Sequence, residues 1–417
     1  MSRNPFIRVF EYESLTTFDP GDGRFLTKSE LDRLYQFNDR NGNIYFTGIR
    51  NGVKFNSYVG VIQIGGLTIE ILPKADKQDQ PDKEEYLRWQ RILLDMLNYC
   101  HYIKVDSVSE TALEKRNNSI LDLYFQLFLD EVSFLLRKGL IKQYRKYSGN
   151  LNVVKGRILF NQQIRINLVH QERIYTEHQV YDTDNLYNQV LLRALSILNR
   201  ITSNPMLKDQ IHRIKLDFPE LQDIQVNKSH FDRLKDTRKT KPYQNALKIA
   251  KMIILNYSPD IRSGGEDMLA LLFDMNKLWE EFIYRVLQSD PDSEYEVSFQ
   301  NFEDFWETKT IRPDLVLNRK GSKEEKFIID TKWKIVDANN PSDDDLKQMF
   351  AYNLYWNAGK SILLYPGSEK LEEKFGKFHK GKTSENVCKV GFINVLNSEG
   401  KLDRGIGKRI LKKLISF

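Results

Sequence analysis

The sequence predicts an α+β multidomain chain with a β-rich N-terminal module, a mainly helical middle region and a C-terminal α/β core around a mixed central sheet. Three observations predict it. Residues 6–74 hold short apolar runs broken by Asn51-Gly52 and Gly65-Gly66, which are turn pairs of β-hairpins. Residues 85–257 carry long stretches with apolar side chains three and four apart, the helical period. From residue 261 onward the pattern becomes a helix, strand, hairpin, helix and strand succession.

Each element has a local cause. Residues 6–12 alternate as a strand, and Thr27 with Glu30 forms a capping box opening a helix to about Asn38. Strands follow at Ile44-Tyr45-Phe46, Tyr58–Ile64 and Leu67–Leu72, and residues 74–84 read as a polar linker. Helices are expected over Tyr86–Tyr99, Ser119–Lys138 with Gly139 as its stop, Asp184–Ile201 and Tyr243–Tyr257. Leu151–Tyr181, rich in Ile and Val, has room for strands, and Lys408–Lys413 lies in an amphipathic C-terminal helix. The expected domains are therefore 1–74, 85–260 and 261–417.

At 417 residues, 41% hydrophobic and 12% aromatic, the chain can fill two or three cores, which excludes a disordered protein. The only cysteines, Cys100 and Cys388, lie far apart, which argues against a disulfide framework or zinc ribbon and for a reducing, cytoplasmic setting. Met1–Tyr12 lacks a signal-peptide core, and no apolar run reaches the ~18 residues of a membrane span. No membrane association is expected.

A net charge of +6 is modest, so attraction to nucleic acid must come from local clustering. Val132–Gln171 contains no Asp or Glu but holds Arg137, Lys138, Lys142, Arg145, Lys146, Lys155, Arg157 and Arg165, with Tyr144, Tyr147 and Phe160 interleaved. Such a stripe suits phosphate contact, and equally a solvated basic face or the docking surface of an acidic protein partner.

The chemistry concentrates in Ile311-Arg312-Pro313-Asp314 and Phe327-Ile328-Ile329-Asp330-Thr331-Lys332. Residues two apart on a strand share a face, so Asp330, Lys332 and Lys334 point one way while Phe327, Ile329, Trp333 and Ile335 fill the other. Pro313 cannot donate to a ladder and belongs at a strand's first position, which puts Asp314 at a strand mouth. The polar Asn318–Lys326 stretch, with Gly321, reads as a hairpin turn bringing Asp314 beside Asp330. A carboxylate repels a phosphodiester by roughly 4 kcal/mol at about 4 Å for an effective dielectric of about 20, so paired carboxylates can serve phosphate chemistry only through a cation. Mg²⁺ commonly takes one or two carboxylates plus water and substrate phosphate. Lys332 would orient or help deprotonate the attacking water, or neutralise the developing oxyanion.

These residues resemble the PD-(D/E)xK nuclease superfamily. Glu280, within Met275-Asn276-Lys277-Leu278-Trp279-Glu280, resembles that family's first-helix acid. Gln348 and Tyr352, four apart on one helix face, resemble the Gln-x-x-x-Tyr element of RecB-like nucleases, and Ser342–Asp345 offers that helix a capping box. Gly139-Leu140, Lys155-Gly156-Arg157 and Ile71-Leu72-Pro73-Lys74 are similar to the McrC-type subunit of modified-cytosine restriction systems. The resemblance implies a restriction-endonuclease-like nuclease core over 261–417. Asp314, Asp330 and the Thr331 backbone carbonyl would be metal ligands and Lys332 the catalytic lysine. Glu280 would be a further ligand or water-positioning acid, with its neighbour Glu281 as the open alternative. Gln348, Tyr352, Arg312 and Lys334 would support the lysine or touch DNA. It further implies Mg²⁺, with Mn²⁺ as a substitute, and DNA as substrate. The implied partner is an McrB-like AAA+ GTPase hexamer, on which residues 1–74 would dock and whose hydrolysis the chain would stimulate. A non-catalytic adaptor and a stand-alone repair nuclease are the alternatives.

Gly376-Lys377-Phe378-His379-Lys380-Gly381-Lys382-Thr383 satisfies the phosphate-loop expression, but its context does not. A phosphate loop follows a buried strand and opens a helix. Here Glu369–Phe375 reads as a polar helix and Val387–Val395 as a strand, so no nucleotide is expected on this chain.

Overall fold

Two apolar runs, Leu315-Val316-Leu317 and Phe327-Ile328-Ile329, form the centre of a six-stranded mixed sheet in a computed structural model of the chain. The structure describes residues 5–74, 83–103, 119–259, 267–290, 293–321, 325–334, 341–367, 374–379 and 386–415. The strand order is Tyr295–Phe299, Leu315–Arg319, Lys326–Thr331, Lys360–Pro366, Val387–Ile393, Lys374–Lys377. The first three are antiparallel neighbours, and the next two join in parallel. The Asp343–Tyr355 helix is the crossover between the parallel strands Lys326–Thr331 and Lys360–Pro366, where a parallel pair requires a long connection. Its Met349, Tyr352 and Trp356 pack with Val316, Ile328, Leu363 and Val390. The Met275–Gln288 and Ile406–Ile415 helices also pack against this sheet.

The α+β class holds, but the chain groups differently from the expected 1–74, 85–260 and 261–417. By contact it divides into two units. One comprises Met1–Ile62, Leu67–Thr111 and Leu272–Phe417, and the other Gln63–Gly66 and Ala112–Leu271. The N-terminal strands therefore share a unit with the six-stranded sheet, and so does the Lys83–Tyr99 helix. Glu11 shows why: its Oε1 accepts hydrogen bonds from the Trp333 indole and from Lys74 N (2.9 Å). Excising residues 1–74 would strand the Trp333 donor rather than detach a free-standing module.

The second unit is a helical bundle of Ile120–Lys138, Leu186–Ile201, Pro205–Asp217 and Gln244–Leu255, with a sheet ordered Gln143–Leu151, Ile174–Asp182, Arg157–Ile158. Gly139 ends the first helix at φ 91°, a backbone only glycine adopts cheaply. Tyr243 pins the chain beyond it, its hydroxyl accepting from Ile141 N (2.9 Å) and donating to Asn188 Oδ1 (2.8 Å).

Several local expectations need correction. The Ser342 side chain makes no capping bond, and the Asp345 carboxylate is engaged by Lys334 and Tyr365. Lys374–Lys377 is a strand rather than helix, pairing antiparallel with Val387–Ile393, while Phe378 just beyond it packs on Phe350. Residues 369–373 and 380–383 of the phosphate-loop stretch, like Ile335, lie outside the described residues. The face carrying Asp330 is not solvated: Ile328 and Asp330 are as buried as Phe327 and Ile329, because helices cover the sheet.

Glu11 yields a stability prediction. Burial pushes its carboxyl up to about 8 from 4.5, against the hydrogen bonds from Lys74 and Trp333. The folded state thus holds a proton that the unfolded state releases, and stability falls as pH rises between these values. Glu11→Gln should flatten that slope in pH-dependent thermal melts. Glu11→Ala should cost roughly 1–3 kcal/mol at pH 6 by orphaning the Trp333 donor.

Candidate active site

The hairpin places the acids. Leu315 opposes Ile329, Val316 opposes Ile328 and Leu317 opposes Phe327, so the same register carried one residue further sets Asp314 against Asp330. The turn is tied by Arg319 N to Glu325 O (3.1 Å), with Gly321 at φ 82°. Asp314 Oδ2 accepts from Thr331 N (2.7 Å) and Thr331 Oγ1 (2.9 Å), which locks the Pro-Asp turn onto the second acid's strand. The strand ends at Thr331, and Lys332 N continues the ladder to Leu364 O (3.0 Å).

Asp330 is 1% exposed. Lys332 Nζ lies 2.7 Å from its Oδ2 as an ion pair, yet off hydrogen-bonding geometry, so neither carboxylate oxygen has a hydrogen-bond partner. The ammonium donates instead to Gln348 Oε1 (3.3 Å). Gln348 Nε2 in turn reaches the Tyr352 hydroxyl (2.5 Å), which donates to the Arg312 carbonyl (2.7 Å). A relay thus runs from the lysine through Gln-x-x-x-Tyr back to the residue before Pro313.

Glu280 joins the group. Gln300 Nε2 donates to its Oε1 (2.7 Å), while Gln300 N donates to the Asp314 carbonyl (2.9 Å). Glu281 is instead turned to Arg285 four residues on, at 2.7 Å, so Glu280 is the acid beside Asp314. Lys334 is held by Asp345 (2.6 Å) and lies over the Tyr365 ring, which gives it a structural engagement. The Arg312 side chain places positive charge near Asp314 and Glu280.

The basic stretch is less free than its sequence suggests. Arg145 pairs with Asp182 (2.9 Å) and Asp184 (3.4 Å), because Gln143–Leu151 lies beside the acid-ended strand Ile174–Asp182. Lys138 sits over the Phe134 ring. Arg137, Lys142, Lys146, Lys155 and Arg157 belong, with Arg145, to the second unit, whereas the acid cluster lies wholly in the first.

Crowded carboxylates raise one another's proton affinity. Burial and then Asp314 push Asp330 up to about 7, and burial followed by Asp314 does the same for Glu280. Asp314 is raised by burial against its Thr331 hydrogen bonds and the charge of Lys332. Lys332 is raised despite burial, chiefly by Asp330. Among the described residues no three His, Cys, Asp or Glu side chains enclose an ion by themselves. The carboxylates of Asp314 and Asp330 are oxygen donors of the kind a hard cation such as Mg²⁺ takes, with water completing its shell. Asp330 Oδ1, buried and without a hydrogen-bond partner, is the observation that bears on the fit.

The sequence did not disclose Gln300, the Thr331 hydroxyl, Trp333 or Glu11 as parts of this arrangement. Trp333 packs edge-on against Trp279 (5.3 Å), the residue before Glu280, and donates to Glu11. The side chains next to two of the polar groups are thus fixed together.

In metal-free protein, Asp330 and Glu280 hold protons that the unfolded chain would lose, so stability falls as pH rises towards 8. Asp330→Asn should flatten that slope in pH-dependent thermal melts, since it removes the group whose proton is lost. Added Mg²⁺ should raise the parental midpoint more at pH 8 than at pH 6, because protons compete for the same oxygens. That difference should vanish in Asp330→Asn.

Comparison with known proteins extends the picture. A family model described as McrBC 5-methylcytosine restriction system component matches residues 53–366. The Type IV methyl-directed restriction enzyme EcoKMcrBC of Escherichia coli (strain K12) is 25% identical over 172 residues, 40% of this chain and 49% of that protein. The match spans about half of that relative's length. A chain of the refined half-complex from the tetradecameric assembly of Thermococcus gammatolerans McrB AAA+ hexamers with bound McrC is similar at a TM-score of 0.71 and 20% identity, covering 98% of this chain and 99% of that one. A chain of the cryo-EM structure of the Thermococcus gammatolerans McrBC complex gives 0.51 at 20% identity, over 69% and 88%. These two likenesses concern the fold. No described helix is long and apolar enough to cross a membrane. With well over half of its length matched by the family model, including every residue from Glu280 to Tyr352, this chain belongs to the McrBC 5-methylcytosine restriction system component family.

Proposed function

We propose that the chain is the Mg²⁺-dependent DNA endonuclease subunit of a modification-dependent restriction system. It would cut when coupled to an AAA+ GTPase partner whose hydrolysis it stimulates. The observation that carries the reading is the buried, hydrogen-bond-free carboxylate of Asp330 opposite Asp314, with Lys332 alongside. Burying a carboxylate in an apolar strand is costly, and the Lys332 ammonium lies against only one of its two oxygens. Asp314, Asp330 and the Thr331 carbonyl would hold the ion, with Glu280 as the outer acid; Mn²⁺ would serve in place of Mg²⁺. A bound divalent ion supplies Lewis-acid polarisation of the phosphoryl oxygen and a more acidic water. Lys332, aimed by Gln348, places its ammonium where negative charge develops on the phosphate or the attacking water. Tyr352 holds Gln348 and the Arg312 carbonyl together, so the lysine and the Pro-Asp turn move as one.

The relative in the solved assembly is bound to McrB AAA+ hexamers, and a similar partner is proposed here. Residues 1–62 share a unit with the acid site. Exposed apolar side chains concentrate in the second unit, at Tyr144, Val153, Phe160, Leu168 and Val169, beside Lys155 and Arg157. That surface suits a protein partner better than bare phosphate does, and we place docking there rather than on residues 1–74.

Asp330→Ala or Lys332→Ala should lower Mg²⁺-dependent cleavage of modified DNA by roughly 10²–10³-fold or more, with partner association intact in size-exclusion chromatography. Parental cleavage by either variant would dismiss the site. Gln348→Ala, which removes only the lysine's support, should lose roughly 10–100-fold.

A further inference from the structure

Between the strand Tyr295–Phe299 and Asp314 the chain leaves the six-stranded sheet and forms a separate two-stranded hairpin, Glu303–Trp306 with Lys309–Ile311. Its two feet meet at the acid cluster. Gln300 N donates to the Asp314 carbonyl (2.9 Å), and the Gln300 side chain donates to Glu280 (2.7 Å). At that departure point Gln300 adopts φ 52°, and at the tip Glu307 adopts φ 46°, left-handed conformations that non-glycine residues hold only under constraint. Of the hairpin's two strands only Ile311, at its second foot, packs against the core. Every residue from Asn301 to Thr310 is exposed, and the aromatic side chains of Phe302 (69%), Phe305 (52%) and Trp306 (62%) stand in the solvent. Phe305 leans on Tyr355 (5.8 Å), which gives the hairpin one fixed attachment to the Asp343–Tyr355 helix. Trp306 lies across from Lys309 in the ladder.

We propose that this hairpin contacts the bases of the DNA that the neighbouring acids would cut, Trp306 stacking on or wedging between bases next to the scissile phosphate. The proposal rests on the nuclease reading above. The occupant follows from continuity: a hairpin whose first foot, Gln300, bonds Asp314 and Glu280 and whose second foot runs directly into Asp314 projects beside whatever those acids hold. The type of contact follows from charge. Glu303, Asp304 and Glu307 outnumber Lys309 on the hairpin, so it cannot bind through phosphate neutralisation. Base stacking on aromatic faces needs no net positive charge and tolerates any sequence, and apolar wedges unstack base steps.

The test uses the full chain in a Lys332→Ala background, to prevent cutting, and a duplex carrying 2-aminopurine. The parent should raise 2-aminopurine emission on binding, reporting an unstacked base. Trp306→Ala should remove that rise and weaken binding by roughly tenfold without changing the salt dependence, and Trp306→Phe should restore most of both. An unchanged thermal midpoint is expected, since the side chain is exposed. Parental affinity and emission in Trp306→Ala would overturn the proposal. So would loss of AAA+ partner association in place of DNA contact. Mg²⁺-dependent cutting of modified DNA by the chain with Lys332 intact and its AAA+ GTPase partner added, measured alongside, separates the two readings. If it persists while Trp306→Ala is silent, only the hairpin assignment fails; if it is absent, the nuclease reading fails and the hairpin with it.

Discussion

Strand register is the constraint on which the site depends. Because side chains alternate faces, slipping the Leu315–Arg319 and Lys326–Thr331 strands by one residue would turn Asp330 into the opposite layer and set Ile329 against Asp314. Register is held from three directions. The Gly321 turn fixes the loop, the paired apolar runs fill both layers, and Thr331 bonds Asp314 through its N–H and its hydroxyl. The last of these is unusual in using a member of the site to align the scaffold. The geometry of the acid cluster and that of the sheet are therefore hard to alter separately.

Around that register the electrostatics are deliberately unbalanced. Glu280, Asp314 and Asp330 share a space in which burial alone would neutralise them, and Lys332 and Arg312 offset only part of their charge. The lysine divides its interactions between an ion pair with Asp330 and a hydrogen bond to Gln348. Through Tyr352 the same chain of bonds returns to the Arg312 carbonyl, so the crossover helix clamps both halves of the hairpin. A cation would relieve the repulsion without moving the backbone, which is what a preorganised site requires.

Much of this was legible in the chain itself. The hairpin, the Asp314 and Asp330 juxtaposition, the Gln348 and Tyr352 helix face, the capped helix after Thr27 and the Gly139 stop all follow from local periodicity and turn chemistry. What escaped was non-local. Glu11 and Trp333 are 322 residues apart, and no periodicity couples them. The acid-free stretch near Arg145 looked strongly basic because its counter-charges, Asp182 and Asp184, arrive on a strand some forty residues later. Lys374 and Phe375, the end of the Glu369–Phe375 stretch expected to be helical, lie in a strand, because a polar composition fits an exposed helix as well as an edge strand. The expected Ser342–Asp345 capping box is not made, and the Asp345 carboxylate that would have completed it instead meets Lys334 and Tyr365, contacts from other elements that local sequence does not reveal.

The discontinuous unit bears on biosynthesis. Ala112–Leu271 is nearly contiguous, so most of its contacts are complete once that stretch has left the ribosome. The unit carrying the acids is not: it joins residues 1–62 and 67–111 to residues 272–417, so its N-terminal part must wait for partners made after the intervening stretch. Long sequence separation makes such closure slow relative to local folding. A chain interrupted soon after Leu271 would thus carry a folded inserted unit and no assembled acid cluster.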